Sequence, residues 1–213
     1  IHLLDLACGK AGDLFKWNEK KISNVVGIDL NQNNIEDIND GACVRYVEFK
    51  KRMESFGQTD IPLVDFLVGD ISQNIRDGTA IKTADCITQQ NRLWENTYNS
   101  RGFDIISIQF AIHYLFENEA KLDGLLKNIS QNLNSGGYLI GTCFDGSSVY
   151  KALKSKKIGQ SISGSKDENI IWKIKKMYDL QDEDIPRDST SLGLGIDVYV
   201  QSINQSIREY LVS

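Results

Sequence analysis

Five short apolar runs, each closed by small, polar or acidic residues, constrain this 213-residue chain more than any other feature. They are Ile1–Ala7, Val25–Leu30, Val64–Val68, Phe103–Ala111 and Tyr138–Phe144. Runs of this kind fill strands buried on both faces of a parallel sheet. Between them lie helix-like segments: Asp13–Lys21, then Ile35 to about Ser55, then Glu117–Leu133. In the last of these, Leu122, Leu125, Leu126, Ile129 and Leu133 recur at helical spacing. Regular strand–helix alternation predicts a doubly wound α/β sheet with right-handed crossovers.

The rest of the chain departs from that rhythm. Residues 71–101 are polar and weakly patterned, and read as a surface helix plus loop. Beyond Asp145 the sequence predicts a short helix to Leu153, a Lys154, Lys156, Lys157 patch, and a Gly/Ser-rich mobile loop over Gly159–Ser165. Two antiparallel strands follow, Ile170–Met177 and Gly195–Gln201, joined by an acidic connection containing Pro186. The division expected is one domain over 1–213, with a Rossmann-like core at 1–146 and an antiparallel extension at 147–213.

Composition narrows the function. With 41% hydrophobic and 25% charged residues, a sizeable core is available and wholesale disorder is excluded. No run approaches the roughly 18 to 20 apolar residues of a membrane span. Cys8, Cys43, Cys86 and Cys143 are scattered, with only His2 and His113 to help them, so no metal site is expected. Cys8 and Cys143 lie in apolar runs and read as small buried hydrophobes, which fits a reducing cytoplasm. A formal charge of −5 argues against sequence-independent grip on long nucleic acid.

In an open parallel sheet, ligands bind beyond the carboxyl ends of the strands. The residues there form a set: Asp5, Gly9, Lys10, Gly12 and Asp13 after the first run; Asp29 and Leu30 ending the second; Gly69, Asp70 and Ile71 after the third; Gln109, Phe110, His113 and Tyr114 after the fourth. The first turn lacks the GxGxxG spacing of a dinucleotide site, and Asp5 and Asp13 would sit near a phosphate. A cationic, phosphate-free ligand such as S-adenosylmethionine suits it better. Asp29 is placed to take two ribose hydroxyls. An Asp at a strand end is often only a helix cap, and a lone His is more often a core residue than a contact. The recurrence of Asp29 and Asp70 at successive strand ends favours a nucleoside.

DLACGKAGDLFKW, GIDL, QFAIHY and GGYLIGT together resemble the messenger RNA cap guanine-N7 methyltransferase family, and Thr142-Cys-Phe-Asp-Gly146 its large DNA virus branch. Ala7 and Ala11 stand where the family commonly has Gly, which is tolerable only if φ there is negative. The resemblance implies a class I S-adenosylmethionine-dependent methyltransferase fold, here without the N-terminal helix and last strands usual in the family. The chain is therefore expected to be part of a larger capping enzyme. It implies that Gly9, Lys10 and Asp13 bound the methionine end of the cofactor, that Asp29 with Leu30 holds the ribose, and that Asp70 and Ile71 meet the adenine. Gln109 would lie under the sulfonium; Phe110, His113 and Tyr114 would face the cap as positioning residues; and Glu209 would read the guanine edge.

Guanine N7 carries no proton, so no general base is expected, and S-adenosylhomocysteine is the expected product. The implied substrate is a capped RNA 5′ end (GpppN). Expected partners are linked triphosphatase and guanylyltransferase domains or a stimulatory subunit. Localisation is expected in the cytoplasm, in a virion or viral factory for a viral protein, and in the nucleus for a cellular one. Lys50, Lys51 and Arg52, or the Lys154–Lys157 patch, could meet the triphosphate bridge. Two other readings stand beside this one: a small-molecule methyltransferase of the same fold, and an inactive cap- or cofactor-binding module that needs a partner.

Overall fold

The computed structural model describes residues 1–95, 101–180 and 184–213. Its first half alternates strands and helices in order: β1 (His2–Leu6), α1 (Leu14–Glu19), β2 (Asn24–Asp29), α2 (Gln32–Glu36), α3 (Ala42–Ser55), β3 (Leu63–Val68), α4 (Ala84–Leu93), β4 (Phe103–Gln109), α5 (Glu119–Asn132) and β5 (Leu133–Thr142). These strands form one sheet in the order β3-β2-β1-β4-β5. The β1–β2, β1–β4 and β2–β3 pairs are parallel, with Leu6 beside both Ile28 and Ile108, and Asp29 beside Val68. The doubly wound reading therefore holds. Leu4, Leu6, Val26, Ile28, Leu67, Ile106 and Ile108 are at most 1% exposed, as strands covered on both faces require.

The chain divides into two compact units, Ile1–Gln109 with Asp123–Gly141, and Phe110–Leu122 with Thr142–Ser213. The division differs from the expected cut at residue 146. The segment after β4, a 3-10 turn over Ile112–Glu117, belongs to the second unit because it is tied there by Gly193 N–H donating to Phe116 O (2.9 Å).

In the first unit, the single helix expected to Ser55 is broken. Gly41 approaches Asp37 so closely that a Cβ on it would lie 2.6 Å from the Asp37 N and O atoms. The stretch after β3 is a packed loop, with Ile75 and Ala80 fully buried, followed by α4. The part of 71–101 that falls on 96–100 lies outside the described residues. On α5 the buried positions are Leu125, Asn128 and Asn132, while Leu126 is exposed. β5 is an edge strand with Tyr138, Leu139 and Ile140 exposed, and Cys143 just beyond it is exposed too, against the expectation of a buried thiol.

In the second unit, α6 (Gly146–Leu153) is followed by β6 (Ser161–Lys166), β7 (Asn169–Lys176), β8 (Gly195–Val200) and β9 (Gln205–Tyr210), a four-stranded sheet in that order. All three of its pairings are antiparallel. The expected mobile loop is thus largely strand β6. Gly164 makes this possible: a Cβ there would lie 2.4 Å from Trp172 Nε1, so the indole lies across the space a side chain would need. The core here is Tyr150, Leu153, Tyr178, Ile185, Leu194, Ile196 and Leu211. Of the acidic connection, residues 181–183 lie outside the described residues. Among the described residues, no helix is long and apolar enough to cross a membrane.

Candidate active site

Asp29 closes β2 with its carboxylate turned into the first unit. Its Oδ2 accepts from Gly9 N–H (2.8 Å), and its Oδ1 accepts from Asn31 N–H (2.9 Å) and Asn34 Nδ2 (3.0 Å). The ends of β1 and β2 are thereby locked together by one buried carboxylate. Each carboxylate oxygen offers about two lone-pair sites, so only one acceptor site on Oδ2 remains. Asp29 can accept one further hydrogen bond as it stands, and a second only by displacing a donor. Asn31 and Asn34 went unnoticed in sequence. The signal was the Asn/Gln run that follows Asp29.

The turn after β1 overturns one expectation. Ala7 and Ala11 have φ of 60° and 55°, in the left-handed region, not the negative φ their methyls require for comfort. For an L-residue this costs roughly 1–2 kcal/mol each. Gly9 shares the conformation at 55° without that cost. Neither Gly9 nor Gly12 has any atom within 4 Å of where a Cβ would stand, so the turn has an open flank. Lys10 does not point freely at a ligand; its ammonium is held by both oxygens of Asp40. The pair is solvent-exposed and worth about 1 kcal/mol or less, so a ligand carboxylate can compete for the lysine. Asp13 is similarly engaged, by Lys16 (2.6 Å).

Beneath the turn, Asp5 is 5% exposed, and burial pushes its carboxyl up to about 7, with the Ser107 hydrogen bond opposing and Asp13 and Asp29 adding to the rise. Gln109 donates to Ser107 Oγ (3.1 Å), which ties the end of β4 into this polar cluster. Ser107 was legible as the one small polar residue in an apolar run. A cation near Asp5 would recover the ionised form that burial disfavours.

At the end of β3, Asp70 Oδ1 accepts from both Ser72 N–H and Ser72 Oγ, while Lys82 Nζ lies 3.7 Å from Oδ2. Ile71 is buried at the start of the following loop, whereas Leu30 is 62% exposed beyond β2. The loop is held by Asn128, which is fully buried: Nδ2 donates to Ile71 O (2.9 Å) and Gln73 O (2.7 Å), and Oδ1 accepts from Ile75 N–H (2.9 Å). The first unit thus gathers Gly9, Asp13, Asp29, Asp70, Ile71 and Gln109 along the carboxyl ends of adjacent strands.

In the second unit, His113 and Glu209 come together from the 3-10 turn and β9, with Nε2 3.7 Å from Oε2. His113 is 4% exposed and neither ring nitrogen has a hydrogen-bond partner. Burial pulls its pKa down to about 4 and pushes that of Glu209 up to about 7. The rings of Tyr114 and Phe144 stand 4.3 and 5.2 Å from the imidazole, and burial together with the Glu209 charge raises the Tyr114 hydroxyl. Phe144 was not singled out in sequence. Arg208, the neighbour of Glu209 along β9, is committed to Asp197 (2.6 Å) and lies on the other strand face. Phe110 is 71% exposed with φ 52°, a strained placement for an aromatic residue at a candidate site. Among the described residues, no three His, Cys, Asp or Glu side chains gather as a metal would require.

The strand order and the polar cluster at the carboxyl ends of its strands define a Rossmann-like doubly wound domain. The family model described as the mRNA (guanine-N(7))-methyltransferase domain matches residues 1–212, and the chain belongs to that family. It is 33% identical to the "Probable mRNA-capping enzyme" of Acanthamoeba polyphaga mimivirus over 99% of this chain and 18% of that protein. It is 35% identical to mRNA cap guanine-N(7) methyltransferase 1 of Oryza sativa subsp. japonica over 71% of this chain and 35% of that one. With the mRNA cap guanine-N(7) methyltransferase of Schizosaccharomyces pombe it shares 31% identity over 82% and 39%. The chain spans less than half the length of each of these relatives. Among solved structures, an S-adenosylmethionine-dependent methyltransferase from Clostridium acetobutylicum is similar at a TM-score of 0.48 and 18% identity, over 100% of this chain and 67% of that one.

Proposed function

We propose that this chain methylates N7 of the guanosine cap at RNA 5′ ends, with S-adenosylmethionine as methyl donor, S-adenosylhomocysteine as product and no metal. The observation that carries the reading is Glu209, a partly buried carboxyl facing His113, whose ring in turn touches those of Tyr114 and Phe144. Aromatic surface suits a planar base that becomes cationic, and a carboxylate accepts from the base's N–H groups.

The cofactor side fits as well. The open flank at Gly9 and Gly12, the remaining acceptor on Asp29 and the buried Asp5 suit a ligand that is a nucleoside at one end and cationic at the other. When bound, S-adenosylmethionine supplies an electrophilic methyl on a sulfonium. Asp29 would hold the ribose, Asp70 and Ile71 the adenine, and Lys10, once released from Asp40, the methionine carboxylate. Since N7 has a free lone pair, the chain's work is orientation and charge complementarity rather than proton removal. Neutral His113 is accordingly a positioning residue. Ionised Glu209 would favour the positive charge that develops on the ring.

The mimivirus capping enzyme, of which this chain matches 18%, supports action alongside further capping domains. The test is methyl transfer from labelled S-adenosylmethionine to GpppA-capped RNA, triphosphate RNA and free GTP. N7-methylguanine on the capped RNA alone is the expected product. Transfer to another position, or tight S-adenosylhomocysteine binding with no transfer to any of the three, sinks the reading.

A further inference from the structure

Beside the β1 turn, on the first unit, α1 and α3 enclose a cleft of about 230 Å3 that takes in Ala11 and Gly12. Phe15 projects into it, 55% exposed, with its ring edge-on to buried Phe49 at 5.0 Å. The Arg52 guanidinium lies 5.7 Å from the Phe15 ring centroid. Arg45, Glu48, Phe49 and Arg52 follow one face of α3 at i, i+3, i+4 and i+7. Among the described residues, Arg45 has no ion-pair partner, and the Arg52 guanidinium meets only the Phe15 ring.

An exposed phenylalanine alone would be unremarkable. Here the ring is braced by Phe49, covered by a planar cation, and placed next to the turn assigned to the cofactor. We propose that the Phe15–Arg52 pair is a stacking site for one unpaired RNA base downstream of the cap. The inference rests on the cap-methylation reading for the source of that RNA. Three observations select this occupant. Planar base faces stack on both phenyl and guanidinium surfaces, whatever the base. The two arginines and Glu48 leave a net single positive charge, matched to one phosphodiester rather than to a polyphosphate or an acidic peptide. A cleft of this volume admits one base and not a duplex. The site explains how a chain of charge −5 can hold an RNA end without a broad basic face.

The test is binding of a fluorescein-labelled, uncapped ten-nucleotide single strand, read by anisotropy, alongside methyl transfer to a capped ten-mer and to the GpppA dinucleotide. Phe15→Ala and Arg52→Ala are each expected to weaken strand binding about 5-fold or more. They should raise the ratio of KM for the capped ten-mer to KM for GpppA by a similar factor. Phe15→Tyr keeps the ring and is expected to bind as wild type, while Arg52→Lys, which keeps charge but not the plane, falls between. Unaltered binding and an unaltered KM ratio in both alanine variants overturn the site. So does equal competition by polyglutamate or by a blunt duplex. Phe15-dependent strand binding without methyl transfer to either capped substrate supports the base site and removes the cap-methylation reading instead.

Discussion

His113 Nε2 and Glu209 Oε2 face each other at 3.7 Å, a distance too long for a hydrogen bond and short enough for one shared proton to close it. Burial works on the two in opposite senses, holding the imidazole neutral and the carboxyl protonated to about pH 7. In the proposed role, Glu209 accepts from the guanine edge as the ionised carboxylate. Between pH 6 and 7, kcat/KM for GpppA-capped RNA should therefore rise about fivefold, then by less than about twofold more to pH 8. Glu209→Gln should flatten the profile and lower kcat/KM by about 10-fold or more, the worth of a hydrogen bond to a charged group. A wild-type profile flat from pH 6 to 8 would exclude Glu209 as the titrating group.

The same shifts act on folding. Glu209 binds its proton more tightly when folded, so its contribution falls as pH rises from about 4.5 to about 7. His113 binds its proton less tightly when folded, so its contribution grows from about 4 to 6.5. Over their common window the two slopes cancel. His113→Asn removes one of them, and its urea-derived stability should decline with pH between 4.5 and 6.5 relative to wild type. Parallel curves for the two proteins would contradict the assignment.

Crowding at Asp29 makes a specific prediction about the ribose. Two hydroxyls need two acceptor sites, and the three donors from Gly9, Asn31 and Asn34 leave one. Asn34 is the only side-chain donor among the three, and the easiest to displace. Asn34→Ala should hold S-adenosylhomocysteine as well as wild type or a few-fold tighter, whereas Asp29→Ala should lose about 10-fold or more by calorimetry. A marked loss in Asn34→Ala would make the amide a direct ligand contact.

Much of this was legible before the structure. Strands β1 to β4 announce themselves because a parallel sheet covered on both faces demands unbroken apolar runs, and Asp29 and Asp70 announce themselves by where those runs stop. What stayed hidden depended on partners distant in sequence. SISGSK at 161–166 has the composition of a loop and becomes a strand because Gly164 leaves room for Trp172. The positive φ at Ala7 and Ala11 contradicts their own residue type and reflects a turn set by its surroundings. The leucine pattern of α5 concealed two buried asparagines, since periodicity reports which face is apolar and not which polar group that face will satisfy.

Ala7→Gly should stabilise the protein by about 1 kcal/mol, relieving left-handed strain of 1–2 kcal/mol against a smaller entropic cost in the unfolded chain. For a chain of this size that is about 2–4 °C in Tm. Ala11→Gly offers a control. Its methyl is 1% exposed, and losing that burial costs about 0.8 kcal/mol, which offsets the relief. Calorimetric melting should show Ala7→Gly above wild type and Ala11→Gly near it. Equal shifts in both would mean that strain, not burial, dominates at each position.

Asn128 ties the Asp70–Ile71 loop to α5 through three hydrogen bonds, those to Ile71 O and Ile75 N–H buried and that to Gln73 O part-buried. Asn128→Leu fills the space but strands the Ile71 and Gln73 carbonyls and the Ile75 N–H, at about 1–3 kcal/mol for each buried group left unpaired. A loss of several kcal/mol in urea-derived stability is expected. If the loop positions the adenine, the damage extends beyond stability: at a temperature where the variant is still folded, its Kd for S-adenosylhomocysteine should rise, with kcat at saturating cofactor changed less. Asn128→Asp keeps the acceptor for Ile75 N–H and should fall between. A variant with lowered Tm but wild-type cofactor affinity would confine Asn128 to the stability of the fold and show that the loop keeps its shape without it.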